Sequence, residues 1–239
     1  AMAHYFSFVP AIREKVKSEQ RPFIPAKKGN LSVGIVGAGS FAQTKLLPII
    51  QDIEGIKINA IADSNVMTAE NMARTYRAAQ VFVDEDDLFV QDTVDVVVIA
   101  SPHKFHCDQA IAALIQGKAV FLEKPMITSF NQFEKLGSYL RDNPNAPFCV
   151  DYNRSFAPFI EKIKWEVVER RSPLMITYRM NAGYIDRSHW IQREIGAGRI
   201  IGEACHIFDL FCFLTGANPV AVSVESLRPS SDDLFPTDN

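Results

Sequence analysis

A chain of 239 residues, 47% hydrophobic and 22% charged, is long enough for one large domain or two small ones, and its 17 Phe argue against disorder. A formal net charge of -3 offers no field for a phosphate backbone or an anionic bilayer, so neither nucleic acid nor a membrane is expected as partner. Neither a run of the ~18 apolar residues a membrane span needs nor a signal-peptide pattern is found, and Cys107, Cys149, Cys205 and Cys212 form no C-x-x-C, so reduced thiols and a cytoplasmic location are expected.

Residues 1–30 mix Lys, Arg, Glu and Pro without a sustained period and read as an extension or linker, with one short polar helix over Ala11 to Gln20. From Leu31 the texture changes to apolar runs alternating with helix-period segments. Strands are predicted at Leu31 to Val36, Ile56 to Ala62, Gln80 to Val83, Val94 to Ala100, Ala119 to Leu122 and Phe148 to Asp151. Helices are predicted at Phe41 to Gln51, Thr68 to Tyr76, Phe105 to Gln116 and Asn131 to Arg141. The run Asp84, Glu85, Asp86, Asp87 reads as a solvated helix start. Continuous runs such as Val96 to Ile99 require burial on both faces, as in a parallel sheet between helix layers. Residues 31–153 are therefore expected to form a doubly wound, Rossmann-type α/β domain. Residues 154–239 read as a second α/β domain, incomplete at its C-terminal end. It should hold helices from Ala157 to Arg170 and Gly202 to Leu214, a β-rich run from Leu174 to Asn181 and a strand from Val220 to Ser226.

Gly37-Ala38-Gly39-Ser40-Phe41-Ala42 fits G-x-G-x-x-A between the first strand and the first helix. Gly37 would allow the tight turn, Gly39 the close approach of a pyrophosphate, and Ala42 close helix–strand packing, with the amides from Ser40 and Phe41 onward facing the phosphates. Asp63 ends the second strand about 24 residues beyond Gly39, where a carboxylate accepts from a ribose diol. It would repel a 2'-phosphate, and neighbouring Ser64 and Asn65 supply no cation, so NAD is favoured over NADP. Asp63 as a simple helix cap is the alternative.

Two further motifs sit at strand ends: Ser101-Pro102-His103-Lys104-Phe105-His106 and Glu123-Lys124-Pro125. Together with the glycine loop they resemble the Gfo/Idh/MocA family of NAD(P)-dependent oxidoreductases, over Leu31 to about Ser226. The resemblance implies hydride exchange between a nicotinamide and a hydroxyl-bearing carbon of a sugar, cyclitol or sugar nucleotide. It places Lys124 as the active-site lysine, before a proline that is often cis, and gives Ser101, Pro102, His103, His106 and Glu123 to the cofactor side. An ammonium there can hold the reacting oxygen. Glu123 is left between two roles, orienting Lys124 or contacting the ribose.

The stretch from Gly196 to Leu210 resembles the family's substrate helix and aligns His206 with its acid/base histidine. Many relatives carry Asp four residues before that His. Here Gly202 stands there, and Glu203 is the expected substitute partner. The pattern looks most like a bacterial branch associated with polysaccharide metabolism. Tyr152, Asn153 and Arg154 match the family's aromatic-Asn-Arg segment, and Asn181, His189, Trp190 and Asp209 are further substrate-side candidates, each equally readable as loop or core. No metal is expected, since adjacent Cys and His in Cys205-His206 and His106-Cys107 project from different helix faces. The resemblance further implies a longer second domain whose sheet packs on another subunit, hence a homo-oligomer at full length and a chain that binds cofactor more dependably than it turns substrate over. A non-catalytic dinucleotide sensor or scaffold and an NAD-dependent glycosidase on the same fold are the rival readings.

Overall fold

Six strands, β1 (Leu31–Val36), β2 (Ile56–Ala62), β3 (Gln80–Phe82), β4 (Val96–Ile99), β5 (Ala119–Glu123) and β6 (Phe148–Asp151), form one sheet in the order β3-β2-β1-β4-β5-β6, with every pair parallel. The structure, a computed structural model, describes residues 30–225. The helix expected at Ala11 to Gln20 lies outside the described residues. The strand order reverses between β1 and β4, which opens a crevice at their C-terminal ends.

The sheet is buried on both faces because its strands are apolar at odd and even positions alike. Val33 and Ile35 of β1 and Val98 of β4 pack with Leu47 of α1 (Leu47–Asp52) and with Ala69 and Ala73 of α2 (Val66–Tyr76). Val36, Val97 and Ile99 face the other way, onto Leu88 and Phe89 of α3 (Glu85–Phe89) and Ala110 and Ala113 of α4 (His106–Ile115). Leu136 of α5 (Phe130–Asp142) completes a third cluster with Cys107 and Ile111 of α4.

Local sequence explains where these helices start. Asn65 caps α2 by accepting from the Thr68 N–H at 3.2 Å, and Ser129 caps α5 by accepting from the Gln132 N–H. Asp84 caps α3, whose first turn carries Glu85, Asp86 and Asp87, the acidic run suited to the positive end of a helix dipole. The first crossover helix opens with a π-helical turn at Ala42–Leu46 before α1.

Beyond Asn153 the chain forms a 3-10 turn (Asn153–Phe156), α6 (Pro158–Val168), a π-helical turn at Ile200–Ala204 and α7 (Cys205–Thr215), which Gly216 ends with φ of +67°. The β-rich expectation at Leu174 to Asn181 is not met: that segment forms no strand. At Val220 to Ser226 the described part shows a single bridge residue at Val222. A strand needs a neighbour's N–H and C=O groups, and no ladder beyond the six-stranded sheet forms among the described residues. No helix among the described residues is long and apolar enough to cross a membrane.

Candidate active site

The glycine loop sits on the crevice between β1 and β4. Gly37 has φ of +86°, and a Cβ there would lie 2.6 Å from Ser101 N and 2.7 Å from Ala100 C, both backbone atoms of the segment leaving β4. Gly39 is the opposite case: a Cβ on it would meet nothing within 4 Å, so its backbone faces open space that a diphosphate can enter. Ala42 is buried against the core, while Ser40 and Phe41 stand exposed at the mouth of the turn.

Asp63 turns back onto this loop. Its Oδ2 accepts from the Ala38 N–H at 2.7 Å and its Oδ1 from the Asn65 N–H at 2.8 Å. The capping of α2 falls to Asn65, which leaves the Asp63 carboxylate at the glycine turn. A carboxylate beside open backbone at the C-terminal edge of β2 fits the ribose end of a dinucleotide.

Four residues assigned to the cofactor from the β4 motif fare differently. The Ser101 hydroxyl donates to Gln109 Oε1 at 2.5 Å, and Pro102 is exposed at the start of a 3-10 turn. His103 Nδ1 donates to Gly196 O at 2.8 Å, and its ring meets Trp190 edge-on at 4.9 Å; burial above all pushes it down to about 4, so it is neutral. His106 corrects the expectation. Its two ring nitrogens lie 2.8 Å from Pro125 O and Ser101 O, and the side chain is 1% exposed, so it has no polar atom left for a cofactor. It clamps the loop after β4 to the loop after β5.

Lys124 follows β5 and precedes a cis peptide bond to Pro125. Its Nζ crosses to the second region, donating to Gly202 O at 2.9 Å and lying 3.5 Å from Glu203 Oε1. The other oxygen of Glu203 accepts from Arg154 at 3.4 Å, so one carboxylate bridges two cations. No hydrogen bond joins Glu203 to His206 among the described residues; its charge acts on His206 at a distance, while its carboxylate oxygens contact Lys124 and Arg154. Gly202 suits this packing, because a Cβ there would come 3.0 Å from the His103 ring.

His206 is buried, meets the Tyr152 ring edge-on at 6.2 Å, and keeps its Nδ1 without a hydrogen-bond partner. Desolvation first, then the charges of Lys124 and Arg154, hold its pKa below the ordinary imidazole value. Asp209 does not pair with it; instead Asp209 Oδ2 accepts from the Ser155 hydroxyl at 2.6 Å. Glu123, in register with Asp151 across β5 and β6, is buried with Oε1 unpartnered. Asn153 and Asn181 are exposed and Trp190 half-exposed, Asn181 lying three residues beyond Tyr178, whose hydroxyl accepts from Arg154 at 2.9 Å.

The sequence reading missed Asp151 and Tyr178. Asp151 carried a usable signal, an acid at a strand end one strand away from Glu123. Tyr178 carried none. An apolar cleft of about 700 Å³, lined in part by Met126, Phe130, Tyr152 and Phe208, opens beside Pro125.

The Gfo/Idh/MocA family model, described as an oxidoreductase family with an NAD-binding Rossmann fold, matches residues 31–152, which span the whole sheet. A 1-carboxy-3-chloro-3,4-dihydroxycyclo hexa-1,5-diene dehydrogenase of Comamonas testosteroni is 25% identical over 206 residues, covering 81% of this chain and 49% of that protein. An inositol 2-dehydrogenase of Corynebacterium glutamicum is also 25% identical, over 203 residues, covering 84% of this chain and 59% of that protein. Among solved structures, scyllo-inositol dehydrogenase from Lactobacillus casei with bound NAD(H) and scyllo-inositol superposes with a TM-score of 0.56 at 27% identity, covering 59% of this chain and 41% of that one. The chain spans about half the length of the curated relatives it matches. On the span and content of the family match, the chain belongs to the Gfo/Idh/MocA family of oxidoreductases, with the family's NAD-binding Rossmann fold.

Proposed function

We propose that this chain carries the cofactor site and the proton-handling groups of an NAD-dependent dehydrogenase acting at a hydroxyl-bearing carbon of a cyclitol or related sugar. One observation carries the reading. The two buried side-chain polar atoms without a hydrogen-bond partner among the described residues are Glu123 Oε1 and His206 Nδ1, one next to Lys124 in sequence and the other on the helix that Lys124 reaches. Buried polar atoms are rarely left unpaired, and those that are cluster where a ligand completes them.

Bound NAD supplies the hydride acceptor. Open backbone at Gly39 and the following amides hold its diphosphate, and Asp63 takes the ribose hydroxyls. Lys124 Nζ exchanges Gly202 O for the substrate oxygen and stabilises negative charge as it develops there. His206, kept neutral, accepts the hydroxyl proton at Nδ1. Arg154, held by Glu203 and Tyr178, is placed to bind a further hydroxyl. The inositol dehydrogenases among the relatives support a polyhydroxylated ring as substrate. Exposed Phe159 and Trp165 of α6, at 77% and 79%, support association with another copy.

A cofactor titration tests the reading at its base. The chain is expected to bind NAD at least tenfold more tightly than NADP. Asp63→Ser should weaken NAD by about tenfold, the worth of one charge-assisted hydrogen bond, and narrow the gap. NADP binding tighter than NAD in the unaltered chain contradicts the assignment of Asp63. Inositols and free sugars are then screened at the absorbance of reduced nicotinamide.

A further inference from the structure

Glu123 and Asp151 are register partners at the ends of β5 and β6, so the sheet sets two carboxyls side by side directly before Lys124 and Tyr152. Glu123 is 5% exposed and its Oε1 has no hydrogen-bond partner, with Asp151 as its register neighbour. Two ionised carboxylates only accept and repel each other, so neighbouring carboxyls at a buried strand end favour a proton on one of them. The cation next in sequence offsets this only in part: the Lys124 charge lowers Glu123, but its Nζ reaches across to Gly202 O and Glu203.

We propose that Glu123 and Asp151 form a proton-sharing carboxyl pair that positions Lys124: while the proton is held the ammonium points to Gly202 and Glu203, and when it leaves the ammonium is drawn back to the strand ends. The inference rests on the role given to Lys124 above, and both members of the pair act through that lysine. Burial first, then the neighbouring Asp151, push Glu123 up to about 8. When the proton leaves Glu123 the pair gains one negative charge.

The groups around the pair are accounted for. Lys124 faces it from the end of β5. His106 of α4 is held below its ordinary value by burial, and His206 of α7 feels the charge of Asp151 while burial keeps it low. The thiols of Cys149 on β6 and Cys205 on α7 are pushed above their ordinary value by burial, and Glu203 faces Lys124 from the opposite side. Asp209, farther along α7, is engaged by Ser155.

Infrared titration of the whole chain, with the Lys124 side chain followed by carbon-13 resonance, tests this without needing turnover. The unaltered chain should show a buried protonated-carboxyl band that disappears as pH rises through about 8, with the Lys124 signal moving in step. Glu123→Gln should lack that band and the lysine response. Asp151→Asn should keep a band but lose it at lower pH, because the neighbouring charge is gone. Kinetically, kcat of the unaltered chain should fall about fivefold from pH 8 to 9, and by less than twofold in either variant, since each caps the pair at one charge. Absence of the band at neutral pH overturns the proposal, as does a lysine signal that titrates identically in all three proteins. A loss in Glu123→Gln that is uniform across pH also overturns it. A chain that binds no nicotinamide nucleotide counts against the proposed function instead, and the two spectroscopic titrations still decide the pair.

Discussion

Replacing Lys124 by Met is expected to lower turnover by roughly 100- to 10,000-fold, the usual range for a positioned acid–base or charge-stabilising group. The ammonium reaches Gly202 O at 2.9 Å from the end of β5, bridging the two halves of the site, and its side chain is 18% exposed. Met keeps most of the volume and the apolar stem, so the fold and the glycine loop should be untouched and NAD affinity should change by less than threefold. Two secondary effects follow from the charges. Glu203 keeps Arg154 as a partner, and His206 loses one of the cations that depress its pKa, so its titration should move upward. Steady-state rates, nucleotide titration and an NMR titration of His206 read these separately. A rate unchanged by Lys124→Met ends the proposed mechanism. Lys124→Arg should recover little, because the planar guanidinium is broader and cannot present a point charge at the same place.

The second large effect is expected at Gly37, with Gly39 as its control. Gly37→Ala brings a Cβ within 2.6 Å of Ser101 N and 2.7 Å of Ser101 Cα, at a backbone φ of +86°. Neither neighbour is a flexible side-chain end. The β1 and β4 loops must separate, costing on the order of 2–4 kcal/mol by overpacking and strain together. The loss should be visible as a lower thermal midpoint, and NAD binding should fall by at least tenfold because the crevice itself is distorted. At Gly39 a methyl group meets nothing within 4 Å, so Gly39→Ala should stay within about 0.5 kcal/mol of the parent in stability. Its effect should appear in NAD affinity alone, where the methyl occupies the space proposed for the diphosphate. Equal stability losses in the two variants would contradict this division between a packing glycine and a binding glycine.

Much of the dinucleotide half was legible residue by residue. Val96 to Ile99 could only be a strand buried on both faces, and Gly37 to Ala42 announced its own turn, because the physics of both is local: backbone dihedrals, period and helix-end amides. Where strand ends shifted it was by one or two residues, as at Val94, which the structure keeps in a turn with its N–H on Gln91 O. The second region was legible only as helices. Leu174 to Asn181 has strand composition, yet composition supplies no partner edge.

At the site, the sequence by itself determined which residue types were present and in what order: a glycine turn, Asp63 at the next strand end, Lys124 before a proline, and His206 on an apolar helix. Tertiary structure alone decided who touches whom. Glu203 went to Lys124 and Arg154 rather than to His206, His106 became a clamp between two loops, and Glu123 found Asp151 across the sheet. The reason is range. Turns and periodicities depend on neighbours a few residues apart, whereas a carboxylate settles wherever folding brings the nearest cation or proton, here 79 residues away for Lys124 and Glu203 and 28 for Glu123 and Asp151.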